Sequence, residues 1–332
     1  MILVSGGTGL VGSHLLFHLT EKGNRVRAIY RNKKNIAETE RIFRFYTPDA
    51  QARLDLIEWI EADITDYFAI EDALEGIEQV YHAAAKVSFN PHESARMLEV
   101  NTQGTANLMN ACLHAGIKKV CYVSSISSLG KSPDNAPIDE KVEWQQDDYR
   151  SAYSYSKFRA EMEVWRASKE GLPVVVVNPS VIIGPVNWLR SSGRLFYSIK
   201  RGLPFYTSGV NGYVDVRDVA MLMESETVNE RYVLNGENLS YKEFFSMIAD
   251  ALGKKAPRIK ASRLLTELGW RTNLVLCFIA RKAPAITKDT ARTAQTVSRY
   301  SSEKIIRDFN FQFTPIKEAI DNAARWFKEL DK

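Results

Sequence analysis

The chain opens with a short apolar run, Ile2 to Ser5, that passes through Gly6-Gly7-Thr8-Gly9-Leu10-Val11-Gly12 directly into a helical pattern, Leu10 to Lys22, closed by Gly23. A strand, a glycine turn and a helix in immediate succession constrain the fold tightly. Glycine gives the tight reversal its backbone freedom and lets N–H groups at the helix start approach a bound group closely. Two spacings cover the same turn. Gly7-x-Gly9-x-x-Gly12 meets the pattern that receives the pyrophosphate of a dinucleotide, and Gly6-x-x-Gly9-x-x-Gly12 is the alternative. Glycines at these intervals are weak evidence on their own; the strand before them and the helix after them supply the context.

The alternation of strand and helix continues past Gly23. Short apolar runs at Val26–Tyr30, Ile57–Glu61, Val80–Ala84, Val120–Ser124 and Val174–Val177 alternate with helical patterns, among them Ala95–Ala115 and Tyr153–Lys169. Four consecutive valines fit a strand buried on both faces. The expected fold class is therefore α/β, a Rossmann-type doubly wound parallel sheet with helices on both sides. After Pro179 the alternation fails in a glycine- and proline-rich stretch, Gly184 to Gly212. Tyr213–Val219 and Arg231–Leu234 read as returns to the sheet, and the remainder as helices. The expected division is a dinucleotide-binding domain of residues 1–178 plus about 212–235. A smaller, mostly helical C-terminal substrate lobe would take about 179–211 plus 236–332.

Composition excludes several classes. With 332 residues, 45% apolar and 25% charged, the chain has a globular balance and is long enough to bury a large core without disulfide staples. A net charge of +4, from 44 basic and 40 acidic residues, lacks the concentrated basic field of a nucleic-acid binder. Cys112, Cys121 and Cys277 are too far apart for a disulfide framework or a zinc site, so no metal is expected. No basic leader precedes the first strand and no run approaches the ~18 apolar residues of a membrane span. The cytoplasm is the expected compartment. One compact apolar run, Leu274–Ala280, is flanked by Arg271, Arg281 and Lys282. It reads first as a buried helix of the smaller lobe, with a lid or a membrane contact as alternatives.

The turn after the second strand bears on the choice of cofactor. An acid about 20 residues beyond the glycines suits the ribose hydroxyls of NAD, whereas arginine suits the 2′-phosphate of NADP. The strand ends at Tyr30 and continues Arg31-Asn32-Lys33-Lys34, with no carboxylate from Asn24 to Ala37. Arg31 and Lys34 therefore point to NADP(H) over NAD(H).

Two further motifs carry chemistry. In Tyr153-Ser154-Tyr155-Ser156-Lys157 the i, i+4 spacing puts Tyr153 and Lys157 on one helical face. An ammonium beside a phenol stabilises phenolate, giving a tyrosine that exchanges a proton with a carbonyl or carbinol oxygen. Tyr122-Val123-Ser124-Ser125 runs from a strand into a serine-rich turn, at the sheet edge where open α/β folds bind ligands. A hydroxyl there can bond a substrate oxygen as its charge changes.

Together these residues resemble the extended short-chain dehydrogenase/reductase family. The resemblance runs through Gly6–Gly12, Asp63-Ile64, His82-Ala83-Ala84-Ala85, Asn101-x-x-Gly104-Thr105, Ser124-Ser125, Tyr153-x-x-x-Lys157, Asn178-Pro179-Ser180, Gly184-Pro185 and Tyr213–Val219. The basic Arg31 turn looks most like the branch of dihydroflavonol reductases, cinnamoyl-CoA reductases and 3β-hydroxysteroid dehydrogenases. The resemblance implies Tyr153 as general acid/base and Lys157 as its partner and ribose ligand. It implies Ser125, five residues before Gly130, as the hydroxyl that polarises the substrate, with Ser124 as the alternative. It further implies that Gly6, Thr8, Gly9, Leu10, Val11 and Gly12 hold the cofactor. Asp63 and Ile64 would flank the adenine, Ala83, Ala84 and Ala85 would pack along the cofactor, and Pro179 and Ser180 would approach the nicotinamide. A homodimer is also implied.

Departures narrow the activity. Relatives that dehydrate nucleotide sugars carry an Asp-Glu pair in the serine turn, where this chain has Ser125-Ile126-Ser127-Ser128. Lys86 stands where many relatives have an uncharged residue, and it reads as solvated or as a contact for an anionic substrate. His82 reads as a packed residue at a strand end. The leading expectation is an NADPH-dependent reductase of a small-molecule ketone or aldehyde. The alternatives are a nucleotide-sugar epimerase on retained NAD, and an NADP-sensing regulator without turnover.

Overall fold

Along each central strand, alternate side chains enter two different cores, as the two-residue period of a pleated strand requires. The computed structural model describes residues 1–331 apart from 89, 133–135, 146–150, 268 and 272–287. Cys277 and the apolar run Leu274–Ala280 lie outside the described residues. Seven strands form the main sheet: β1 (Ile2–Ser5), β2 (Val26–Tyr30), β3 (Ile57–Glu61), β4 (Gln79–His82), β5 (Lys119–Val123), β6 (Val174–Pro179) and, further on, Glu230–Leu234. All pair in parallel. The final strand lies beyond β6, followed in order by β5, β4, β1, β2 and β3. Strand order reverses between β1 and β4, and in a sheet of this kind the crevice at that switch receives the ligand.

One face of the sheet buries Leu3, Val80, Val120, Val174 and Val176 against helices that include Gly104–His114 and Ala152–Lys169. The other buries Val4, Ala28, Cys121, Val175 and Val177 beneath α1 (Leu10–Glu21) and the helix Val216–Met223, which packs on α1. The four valines of β6 are fully buried, as a strand covered on both faces demands.

Two expectations need correcting. Of the stretches expected to rejoin the sheet, Arg231–Leu234 does so, pairing with β6. Tyr213–Val219 does not. Its first part belongs to the strand Val210–Asp215, the centre of a second, three-stranded sheet between Val181–Ile183 and Glu237–Ser240. The chain then turns into the helix Val216–Met223 because the Asp215 carboxylate accepts the Arg217 N–H at 2.7 Å and caps it. The helix expected over Ala95–Ala115 is also interrupted, by a wide π-type turn at Glu99–Gln103.

A third core joins the second sheet to the helices Tyr241–Leu252 and Ile316–Leu330. Trp188 stacks on Phe327 at 3.9 Å between ring centres, and Tyr213 on Phe244 at 4.0 Å. Among the described residues no helix is long and apolar enough to cross a membrane.

Candidate active site

The glycine turn is built to a tolerance that side chains would break. Gly6 has φ +75°, and a Cβ there would lie 2.6 Å from the Ala84 nitrogen. At Gly12 a Cβ would come within 2.1 Å of the Gly6 carbonyl oxygen. Gly9 and Gly12 serve both spacings of the turn, and of the pair that distinguishes them it is Gly6, not Gly7, that takes the left-handed backbone. Gly9 donates to the Gly6 carbonyl at 2.9 Å and accepts from the Ser13 N–H at 2.9 Å. The first turn of α1 carries no acidic side chain, so its partial positive charge faces the crevice without compensation. Thr8 and Val11 are half-buried and Leu10 is buried. Ala83, Ala84 and Ala85, half-buried beyond β4, form the facing wall, with Ala84 against Gly6.

Arg31 emerges exposed from the end of β2 with its guanidinium 3.9 Å from the Asp63 carboxylate. Lys34 is exposed in the following single turn, where its N–H donates to Asn32 Oδ1 at 3.0 Å. Asp63 accepts from Thr65 through both the backbone and the hydroxyl, at 3.0 and 2.9 Å. Ile64 is buried against Gly104. On the other side of the switch, Pro179 ends β6. The buried Ser180 hydroxyl has no hydrogen-bond partner among the described residues. A glycine cradle, an uncompensated helix start, cationic side chains at the β2 edge and an orphaned hydroxyl past β6 fit an extended nicotinamide dinucleotide.

The helix Ala152–Lys169 starts at Ser151, whose hydroxyl accepts the Ser154 N–H at 3.1 Å. It carries Tyr153 and Lys157 one turn apart. Burial raises the pKa of the Tyr153 phenol, and the neighbouring Ser125 side chain opposes the rise. Ser125 is held extended at the mouth of β5, where its hydroxyl accepts the Ser127 N–H at 3.1 Å. Ser124 faces elsewhere, donating to Glu161 at 2.5 Å. The geometry therefore pairs Ser125, rather than Ser124, with Tyr153. Lys157 is 2% exposed and donates to the Tyr122 hydroxyl at 2.7 Å and the Val123 carbonyl at 2.8 Å. Burial pulls its ammonium down to about 7, with the Glu161 carboxylate opposing.

Other polar residues brace the site in ways that their sequence context does not show. Asn101 sits in the π-type turn and ties three segments together. It accepts the Lys86 N–H at 2.7 Å and donates to the Lys86 carbonyl and the Ser156 hydroxyl, each at 3.0 Å. The widened turn that presents this side chain is a distortion frequent at functional sites. Lys86 is half-buried and its ammonium pairs with Glu93 at 2.8 Å. His82 is fully buried between Ser5 (2.6 Å) and Thr105 (2.9 Å), and burial holds its pKa at about 3. Glu161 had one available signal. It repeats the four-residue spacing of Tyr153 and Lys157 on a helical face turned to the core.

Known proteins share this fold. Residues 2–223 match the NAD dependent epimerase/dehydratase family. A Synechocystis sp. protein carrying the name dihydroflavonol 4-reductase is 28% identical, over 98% of this chain and 94% of its own length. Cinnamoyl-CoA reductase 1 of Petunia hybrida is 28% identical over 99% and 92%. The crystal structure of gox2253 superposes with a TM-score of 0.80 at 28% identity, covering 99% of this chain and 98% of that one. The UDP-glucose 4-epimerase of Thermus thermophilus, solved with NAD, shares the fold at 20% identity and a TM-score of 0.73, over 98% of each chain. The chain thus belongs to the NAD dependent epimerase/dehydratase family, as an NAD(P)-dependent oxidoreductase of the extended short-chain dehydrogenase/reductase branch.

Proposed function

We propose that the chain is an NADPH-dependent reductase of a ketone or aldehyde, working through Ser125, Tyr153 and Lys157. The observation that carries this reading is the seating of the helix start on the serine turn, where the Ser154 hydroxyl donates to the Ser127 carbonyl and Ser125 neighbours Tyr153, with Lys157 on the same helical face. Two hydroxyls so placed offer one substrate oxygen two donors. The bound cofactor supplies the hydride. Tyr153 keeps its proton at neutral pH because burial raises its pKa, and it releases that proton as the substrate oxygen gains charge. Lys157, as an ammonium, stabilises the phenolate left behind. Ser125 holds the oxygen in place during the transfer.

Arg31 and Lys34 support NADPH over NADH. They leave β2 where a 2′-phosphate would meet them, and the exposed Arg31–Asp63 pair at 3.9 Å is weak enough for a phosphate to displace. Gly6, Thr8, Gly9, Leu10, Val11 and Gly12 would hold the pyrophosphate, Asp63 and Ile64 the adenine, Ala83–Ala85 the cofactor's flank, and Pro179 and Ser180 the nicotinamide. Selection of the carbonyl compound would fall to residues 179–211 and 236–332. Relatives named as reductases favour this reading over sugar epimerisation. The test follows NADPH consumption across a panel of aryl and alkyl ketones, aldehydes and acyl-CoA thioesters. A reductase consumes NADPH stoichiometrically with one class of carbonyl. Cofactor that co-purifies, with no net oxidation on any member, would favour an epimerase instead.

A further inference from the structure

Glu161 lies one turn beyond Lys157 on the same helix and is 1% exposed. A lone buried carboxylate is strongly unfavourable, so its partners matter. Oε2 accepts from the hydroxyls of Ser124 at 2.5 Å and Ser128 at 2.7 Å, and from the Asn178 amide at 3.0 Å. Oε1 accepts from the Trp165 indole at 3.2 Å and from the guanidinium of Arg231, on the last strand of the main sheet. The Asn178 amide also donates to the Ser125 carbonyl at 3.1 Å, and the Ser128 hydroxyl, 2.8 Å from that carbonyl, shares its one proton between it and Glu161. One carboxylate therefore joins the helix bearing Tyr153 and Lys157 to the turn bearing Ser125.

We propose that Glu161 is a positioning residue of this site. Its carboxylate, anchored by Arg231, fixes the serine turn against the helix and supplies the negative charge that keeps Lys157 an ammonium. The catalytic part of this proposal rests on the reductase reading; the electrostatic part stands on the contacts alone. The titratable groups facing Lys157 are Tyr122 and His82 from the sheet and Tyr153 and Glu161 from its own helix, with Arg231 behind Glu161. Glu161 is the anion of this set, and it opposes the burial that lowers the Lys157 pKa.

The direct test titrates Lys157 by NMR in the full chain, with carbon-13 at lysine Cε and the resonance assigned by its loss in Lys157→Arg. Glu161→Gln should lower the Lys157 midpoint by about one pH unit, the size expected when a near opposite charge is removed. Arg231→Gln removes the competing cation but leaves the carboxylate, and should raise it. Opposite shifts from two partners of one ion pair are what a merely structural role does not produce. Unchanged midpoints, or shifts of the same sign, would overturn the proposal. If Glu161→Gln does not fold by near-ultraviolet circular dichroism, the rise or its absence in Arg231→Gln decides alone. In turnover, Glu161→Gln should lower kcat about tenfold with KM little changed, and Glu161→Asp should recover part of the loss. If the wild-type chain reduces no carbonyl, the reductase reading fails, while the Lys157 shifts still decide the role of Glu161.

Discussion

The Lys157 ammonium donates to the Tyr122 hydroxyl at 2.7 Å while lying 4.4 Å from the centre of the same ring. The contact adjoins a buried polar chain. The Tyr122 ring lies 5.3 Å from the His82 ring; His82 Nε2 meets Thr105 at 2.9 Å, and His82 Nδ1 meets Ser5 at 2.6 Å, at the threshold of the glycine turn. Both ends of the crevice thus rest on adjoining buried polar contacts.

Tyr122→Phe keeps the ring and deletes the acceptor that Lys157 uses. A buried hydrogen bond from a charged donor contributes about 1.5–3 kcal/mol, so urea denaturation should show a loss of that order. A change below about 0.5 kcal/mol would mean that the Lys157–Tyr122 bond adds little to stability.

Two buried histidines make stability depend on pH. Burial lowers His14 to about 4 and His82 to about 3, against an ordinary value of 6.5. The folded chain refuses protons that the unfolded chain accepts. Their contribution is fully present above pH 6.5 and is lost as pH falls towards 4 and then 3. The urea midpoint should therefore decline steadily from pH 6.5 to 4. Replacing His14 and His82 by glutamine should flatten that slope, and an unaltered slope would place its cause elsewhere.

Gly12→Ala places a methyl group where the helix meets the turn, 2.1 Å from the Gly6 carbonyl oxygen. The turn must open. Overpacking of this kind costs about 1–3 kcal/mol. Differential scanning fluorimetry should show a lower Tm and no further rise on adding NADPH. A variant with the wild-type Tm and cofactor response would contradict the close packing described for this turn.

Arg31→Asp exchanges the cation at the end of β2 for an anion that suits ribose hydroxyls. Losing one charge-assisted contact and adding repulsion should weaken NADPH binding about tenfold or more. NADH should bind as well as before or better. Equal affinities of the wild-type chain for the two cofactors, measured by fluorescence titration, would remove Arg31 from cofactor choice.

The main sheet is legible in the sequence because each of its elements writes its own local signal: Val174–Val177 as an unbroken buried run, Gly6–Gly12 as punctuation between strand and helix. The separation of Tyr153 from Lys157 is likewise a local spacing. The residues that brace the site are different. Asn101, Thr105, Tyr122 and Glu161 are polar side chains at core positions, and the partners that tie them to other elements stand 15 to 70 residues away. No window of sequence contains both ends of such a bond. The strand Val210–Asp215 departs from its expected sheet for a similar reason. Its apolar pattern suits any buried strand, and its partners Val181–Ile183 and Glu237–Ser240 become adjacent only in the folded chain.

Comparison of wild type with Tyr153→Phe tests the assigned chemistry most directly, using NADPH oxidation against the carbonyl that the panel identifies. Removing the phenol hydroxyl takes away the proposed proton donor but leaves the glycine turn and Arg31 in place. With Tyr153 as the proton donor, kcat should be about 10²- to 10⁴-fold lower, with NADPH affinity within about threefold of wild type. Undiminished turnover in Tyr153→Phe would contradict that role.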